Sequence, residues 1–91
     1  MPAPIYVTDP PAARRVVVLD ALVALFHRPS GATHLLASPS PELLEALTLG
    51  PADAATLLAR LSERYELIDS EPDAVQARME ELVAAGLAWR A

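Results

Sequence analysis

Residues 14–37 have the sequence RRVVVLDALVALFHRPSGATHLLA, and this stretch decides the fold. It holds three runs of strand-forming residues, at positions 16–19, 21–27 and 33–37. Arg28, Pro29, Ser30 and Gly31 separate the last two runs. Proline presets φ at the first turn position, and glycine supplies a positive φ at the exit. The sequence therefore predicts a three-stranded meander whose second turn needs Gly31. A tight turn at residues 30–31 would place His27 opposite His34.

Apolar residues occupy both parities of the first two runs. We expect one face to hold Val16, Val18, Leu22, Ala24 and Phe26, and the other to hold mostly Val17, Leu19, Val23 and Leu25. A sheet with one wetted face would alternate between apolar and polar residues. The pattern leaves two alternatives: both faces are covered within the protein, or one is covered only when a partner binds. The third run is expected at an edge, where unpaired backbone groups either need protection or form a docking strip.

The first 13 residues form a proline-containing N-terminal arm, and residues 14–91 form one domain. Prolines at positions 2, 4, 10 and 11 exclude a regular helix in the arm and disfavour a central strand. Two alternatives remain for the arm. It is a flexible extension, or residues 5–7 pack along the sheet as an extra edge segment.

Three helices are predicted after Ser38. Ser40 is expected to cap the first helix, which stops at Gly50. Asp53 caps the second, which runs to about Tyr65. A capping box at residues 70–73 begins the third, which ends at Gly86. The residues expected to face inward are Leu43, Leu44 and Leu47, then Leu57, Leu58, Leu61 and Tyr65, then Val75, Met79, Leu82 and Val83. Residues 87–89 are expected to close the core.

Composition places the chain among small globular domains. It has 91 residues, of which 53% are hydrophobic and 21% charged. The absence of cysteine excludes disulfides, thiolate metal sites and a cysteine nucleophile, and it suits a reducing compartment. The start does not resemble a signal peptide, and the apolar runs are too short to span a bilayer. We therefore expect a soluble cytoplasmic protein that does not bind membranes.

The net charge of −5 is unevenly distributed. Residues 1–40 carry three arginines against two carboxylates, a net +1. Residues 41–91 carry four arginines against ten carboxylates, a net −6. Acidic helices repel a phosphate backbone, so nucleic acid is not expected as a partner.

Few residues suggest catalysis or metal binding. His27 and His34 flank the hairpin turn, and a two-histidine metal site is conceivable, but no third ligand is evident. The other possibilities for this pair are a structural role and contact with a peptide. Ser30 near His27 suggests a nucleophile, yet no acid is evident to orient the base. The three glycines are each explained by a turn or a helix end. The sequence therefore predicts neither an enzyme nor a cofactor.

A family resemblance spans about residues 14–88. The run VVVLDALVALFHRPSGATHLLASPSPELLEAL, followed by a glycine-proline step, LLARLSERY and ARMEELVAAGL, resembles the PqqD-like family. These are peptide-chaperone domains, also called RiPP recognition elements. Within the family, HRPSGATHLL resembles the branch found beside an HPr-kinase-related protein, the HPr-rel-A system. Pro29, Ser30 and Gly31 replace the acidic-glycine hairpin of the pyrroloquinoline quinone members.

The resemblance implies an α+β, winged-helix-like domain, in which a three-stranded antiparallel sheet precedes three helices. It implies a non-catalytic module that binds the leader segment of a ribosomally made precursor peptide as an added strand. The module then presents this segment to a modifying enzyme encoded nearby, which the branch suggests is an HPr-kinase-related protein. The implied binding residues are Thr33, His34, Leu35, Leu36 and Ala37 on the strand, and Val75, Arg78, Met79 and Leu82 on the third helix.

Two other functions compete with this one. A structural adaptor subunit of a neighbouring kinase or transferase would bind its enzyme without any peptide. A winged-helix transcription factor would need a basic second or third helix, which the charge distribution disfavours.

Overall fold

The computed structural model describes residues 3–64 and 71–91. Within them the chain is α+β, with five strands, one 3-10 turn and three α-helices. In chain order these are β1 (Tyr6–Thr8), the 3-10 turn (Pro11–Ala13), β2 (Arg14–Leu19), β3 (Leu22–His27), β4 (Ala32–Ala37), α1 (Ser40–Leu47), α2 (Ala54–Arg64), α3 (Pro72–Ala84) and β5 (Ala88–Arg90). None of these helices combines the length and the apolar character needed to cross a bilayer.

The strands β2, β3 and β4 form an antiparallel sheet in that order, which confirms the predicted meander. The first turn contains only Asp20 and Ala21, because Leu19 pairs with Leu22. Asp20 takes a positive φ of 51°, a conformation that aspartate tolerates better than most residues. Gly31 has a φ of 71°, as predicted for the second turn.

The register across the second turn differs from the prediction. His27 pairs with Ala32, and His34 pairs with Leu25, so the two histidines are not opposite each other. The turn spans residues 28–31, and the Gly31 N–H donates to the His27 carbonyl oxygen at 2.8 Å. A wider turn than the expected two-residue turn moves the register by two residues. This preserves which side chains share a face but separates the histidines along the strands.

The predicted division of the sheet into faces is wrong at β3. A two-residue turn after Leu19 pairs odd residues with even ones, which reverses the face assignment from β2 to β3. The face turned towards α1, here called the inner face, carries Arg14, Val16, Val18, Val23, Leu25, His27, Ala32, His34 and Leu36. The opposite face, here called the outer face, carries Arg15, Val17, Leu19, Leu22, Ala24, Phe26, Thr33, Leu35 and Ala37.

The N-terminal segment does not extend this sheet, so that interpretation of residues 5–7 is wrong. Strand β1 instead pairs antiparallel with β5, from the far end of the chain. Tyr6 is fully buried, and it exchanges backbone hydrogen bonds with Ala52 in the loop between α1 and α2. The first and last strands are therefore joined in a second, two-stranded sheet, here called the short sheet. Residues 87 and 88 close the core as expected, but Trp89 is 44% exposed.

The predicted cap of α2 and the predicted glycine stops after α1 and α3 are confirmed. The Thr56 N–H donates to the Asp53 carboxylate at 2.8 Å, so Asp53 caps α2 as predicted. Gly50 and Gly86 follow α1 and α3 with positive φ.

The prediction for the start of α1 is wrong. Ser40 is already helical, and Pro39, in the N-cap position, offers no side-chain bond. Glu71 precedes α3, also without a capping bond. The predictions on Tyr65, on residues 66–69 and on Ser70 of the capping box lie outside the described residues.

The hydrophobic core lies among the helices, the short sheet and the inner face of β3. Most of the helical residues expected to face inward are buried in it, whereas Leu58 and Val83 lie half-buried at its edge. The buried apolar residues are Tyr6, Leu25, Leu43, Leu44, Ala46, Leu47, Ala52, Ala54, Leu57, Leu61, Val75, Met79, Leu82, Leu87 and Ala88.

A polar cluster on α3 fixes the short sheet. The Tyr6 hydroxyl donates to the Glu80 carboxylate, and Arg90 of β5 donates to the same carboxylate through Nε at 3.1 Å. The hydrogen bond from Arg90, followed by that from Tyr6, lowers the pKa of Glu80 from 4.5 to about 2. Burial, reinforced by the bond to Glu80, raises the pKa of Tyr6 to about 12. Glu80 thus connects the first strand, the last strand and the third helix.

We expect this cluster to make the fold acid-sensitive. A carboxyl whose folded pKa is depressed stabilises the fold above its ordinary pKa, and the contribution is lost as the pH falls from 4.5 towards about 2. Glu80→Gln should therefore be less stable than the parent at neutral pH, and the difference should shrink across that interval. Denaturant unfolding at a series of pH values measures this. Glu81→Gln is the matched control, since the Glu81 carboxylate pairs with the exposed Arg78 of the same helix. A difference that stays constant down to pH 2 would contradict the assignment.

Candidate functional site

The predicted docking strip lies on an edge strand. Thr33, His34, Leu35, Leu36 and Ala37 belong to β4, and no other strand of the described residues pairs beyond it. The same is true of β2 at the opposite side of the sheet. The sequence pattern favoured the β4 edge, although the first strand of a three-stranded meander is equally an edge.

The direction of the unpaired backbone groups follows from the register. The Arg28 N–H donates to the Ala13 carbonyl oxygen at 2.8 Å, so residues 13 and 28 form a hydrogen-bonded pair. Bonded and non-bonded pairs alternate along an antiparallel ladder. The backbone groups that point away from the sheet therefore belong to Arg14, Val16 and Val18 on β2, and to Thr33, Leu35 and Ala37 on β4.

The helix residues predicted to line a groove beside β4 are used for the core instead. Met79, Leu82 and Val75 are at most 6% exposed, so they offer almost no surface to a ligand. Arg78 is exposed and contacts Glu81 at 3.2 Å. The apolar stripe of α3 correctly indicated which residues turn inward. In this structure α3 packs mainly against α2 and β5, and the role of these residues as a groove wall stays a prediction.

A different groove lies between the inner face of the sheet and α1. Its volume is about 470 Å³. Val16 and Val18 of the open edge form one wall, and α1 forms the other. The complete lining is Pro11, Arg14, Val16, Val18, Val23, Leu25, Pro41, Glu42, Leu44, Glu45 and Thr48. The lining is thus mostly aliphatic, with two carboxylates on the helix side.

Arg14, the arginine that lines the groove, is hydrogen-bonded to other residues of the protein. The Arg14 guanidinium donates to the Thr8 hydroxyl oxygen and to the Leu44 carbonyl oxygen, each at 3.2 Å. Burial lowers the pKa of Arg14, opposed by the nearby charges of Asp9 and Glu45. The arginine side chain nevertheless stays positively charged, because the guanidinium is not deprotonated in proteins. Its charge is directed at the protein's own acceptors, so the accessible charge of the groove comes from Glu42 and Glu45.

The outer face of the sheet is apolar and largely uncovered. Of the two alternatives for the sheet, the structure excludes coverage of both faces by the described residues. The exposed fractions are 48% for Val17, 50% for Leu19, 40% for Leu22, 39% for Phe26 and 65% for Leu35. Contiguous apolar surface of this kind is typical of interaction sites.

His27 forms the centre of a hydrogen-bonded chain that the sequence analysis missed. Its Nε2 lies 2.7 Å from Asp9 Oδ2, and its Nδ1 lies 2.8 Å from Ser30 Oγ. The expectation that no acid orients this histidine is therefore wrong. Asp9 lies 18 positions earlier and arrives only because the 3-10 turn folds the N-terminal segment back onto β2. No local spacing signalled this contact.

The order aspartate, histidine, serine is that of a nucleophilic triad, but the surroundings favour a structural role. If Nε2–H donates to Asp9, Nδ1 accepts from the Ser30 hydroxyl. Ser30 Oγ also accepts the Ala32 N–H at 3.3 Å, which fixes the hairpin turn. Ser30 is not part of the groove. The contacts satisfy a buried imidazole and attach the N-terminal segment to the sheet.

The predicted binding residue His34 lies apart from the hydrogen bonds that link Asp9, His27 and Ser30. It is half-buried on the inner face opposite Leu25. Among residues 3–64 and 71–91, no three histidine, aspartate or glutamate side chains come together as a metal site would require.

Comparison of the chain with family models, with curated proteins and with solved structures finds no match. The features that bear on function are therefore the two open edges, the groove, the uncovered outer face and the His27 contacts.

We expect Asp9→Ala to destabilise the fold by about 1.5–3 kcal/mol, because a buried imidazole N–H loses a charged acceptor. Asp9→Asn is the matched control, since its amide oxygen still accepts and should restore most of the loss. Denaturant unfolding measures both variants. Hydrolysis of p-nitrophenyl acetate tests the triad alternative, and Ser30→Ala should leave the rate unchanged. A burst of product that disappears in Ser30→Ala would contradict the structural role.

Proposed function

We propose that this chain is a non-catalytic, winged-helix-like peptide-binding module of the PqqD-like kind. In this proposal it captures the leader segment of a ribosomally made precursor peptide by strand addition. It then presents the segment to a modifying enzyme encoded nearby, such as an HPr-kinase-related protein. The order of a meander followed by helices, together with the sequence resemblance, supports the family assignment.

The observation that carries the proposal is the pair of open edges on a three-stranded sheet, in which each strand is six residues long. Thr33, Leu35 and Ala37 on one edge, and the corresponding residues of β2 on the other, direct backbone donors and acceptors outward. Each main-chain hydrogen bond to an added strand contributes about 0.5–1.5 kcal/mol net. Natural edge strands are usually protected by charge, proline or a bulge. The outward residues of β4 have none of these.

The charge distribution indicates which peptides fit. Residues 41–91 carry a net −6, and α1 presents Glu42 and Glu45 beside the sheet. Opposite charge favours encounter with a ligand that carries basic residues near its apolar anchors. The same charge disfavours duplex DNA, which a winged-helix transcription factor would need to bind.

The uncovered outer face favours a second candidate, the adaptor subunit. An enzyme that covered Val17, Leu22, Phe26 and Leu35 would remove large apolar side chains from water without using either edge. Co-purification with the neighbouring enzyme in the complete absence of precursor would favour this candidate over peptide capture.

NMR titration of the isotope-labelled chain with the leader peptide encoded beside it tests the proposal. We expect chemical-shift changes along a sheet edge, on β2 or β4, with the fold retained. Leu35→Pro and Leu36→Pro are a matched pair of variants on β4, in the docking strip predicted from the sequence. Proline at 35 removes an outward N–H, whereas proline at 36 removes a ladder bond to β3 and should cost stability. Shift changes confined to residues 51–64, or none at all, would overturn strand addition.

A further inference from the structure

We propose that the β2 edge and the groove beneath it anchor an extended peptide with aliphatic side chains at alternate positions and basic residues flanking them. This inference rests on the proposed function and specifies which edge of the sheet holds the ligand. It differs from the sequence-based prediction, which placed the ligand beside β4 and α3.

On β2, the outward backbone groups and the groove lining belong to the same residues. Arg14, Val16 and Val18 direct their N–H and C=O groups away from β3, and their side chains line the groove. Residues that form hydrogen-bonded pairs share a face of the sheet. When the ligand strand pairs antiparallel with β2, every ligand residue bonded to β2 therefore directs its side chain into the groove.

The β4 edge lacks this coincidence. Its outward groups belong to Thr33, Leu35 and Ala37, whose side chains lie on the uncovered outer face. A ligand residue bonded to β4 would place its side chain beside Leu35, which is 65% exposed. Both edges offer hydrogen bonds, but β2 also offers a cavity for the side chains that accompany them.

The groove also suits the side chains of a peptide in its size and its apolar surface. The groove volume of about 470 Å³ falls within the range of sites that hold small ligands. Val16 is 50% exposed and Val18 is 72% exposed. Leu44 and Pro41 of α1 face them across the groove. Aliphatic side chains of a bound strand would cover Val16 and Val18 and gain the free energy of apolar burial, whereas Leu44 is already buried.

The charges beside the groove favour a basic ligand. Glu42 and Glu45 line the helix side of the groove, while Arg14 is bonded to Thr8 and Leu44. Glu45 contacts Arg64 at 2.9 Å, but both side chains are more than half exposed. Exposed pairs of this kind are weak, so Glu45 remains available to another cation. The carboxylates therefore select a ligand with basic residues at the ends of its apolar segment.

A synthetic peptide of sequence KTLTVTK, blocked at both ends, is the probe. In an extended conformation its lysines, leucine and valine share one face and its threonines share the other. NMR titration at millimolar peptide should change the shifts of β2 and α1. The charge-reversed peptide ETLTVTE should bind several-fold more weakly, and raised salt should reduce the difference. Equal binding of the two peptides would overturn the charge argument.

Two protein variants separate the edges. Val16→Pro and Leu35→Pro each remove one outward N–H from an edge strand, on β2 and β4 respectively. Loss of a main-chain hydrogen bond should weaken KTLTVTK about tenfold in Val16→Pro, and Leu35→Pro should bind like the parent. Circular dichroism and amide dispersion verify folding of each variant.

N-methylated peptides keep the test valid if Val16→Pro fails to fold. In the antiparallel arrangement, methylating the leucine and valine nitrogens blocks the groups that face β2 and should abolish binding, whereas methylating the threonine nitrogens should not. Shift changes on residues 33–37 instead of β2 would overturn the inference and leave the proposed function standing. No shift change with KTLTVTK would also overturn it, and the leader-peptide titration then decides the proposed function separately.

Discussion

The buried hydroxyl of Tyr6 imposes the constraint on which the rest of the structure depends. A phenol fully removed from water needs an acceptor, and Glu80 of α3 provides it. The same carboxylate holds Arg90, and the backbone of Tyr6 bonds to Ala52 between α1 and α2. One residue therefore fixes the first strand, the last strand, a helix connection and the third helix.

The helices and the short sheet supply most of the buried apolar residues, and the meander contributes to the core mainly through Leu25, with Leu36 half-buried at its edge. Most other strand residues remain exposed. A domain of this size has too little helical surface to cover both faces and both edges of a sheet. The uncovered backbone and side chains therefore form the surface on which the proposed peptide capture depends.

Local signals predicted the local structure. The valine-rich run, the turn at Gly31 and the Asp53 cap all depend on neighbouring residues, and all are present. The predictions that failed concern contacts between residues far apart in the sequence, or the assignment of alternate residues to the two faces of the sheet. The pairing of β1 with β5 joins three-residue strands at opposite ends of the chain, and Asp9 reaches His27 only through folding. Amphipathic spacing showed that Met79 turns inward, but spacing cannot distinguish a core from a groove.

The antiparallel pairing of β1 with β5 also determines where the polypeptide enters and leaves the domain. The Ala91 N–H donates to the Ile5 carbonyl oxygen at 2.8 Å, so the two connections are one strand spacing apart, about 4.8 Å. A host protein could carry this domain within a surface loop without separating the ends of that loop. A short covalent link between its ends would close the domain into a ring, and opening that ring in another loop would create new termini there.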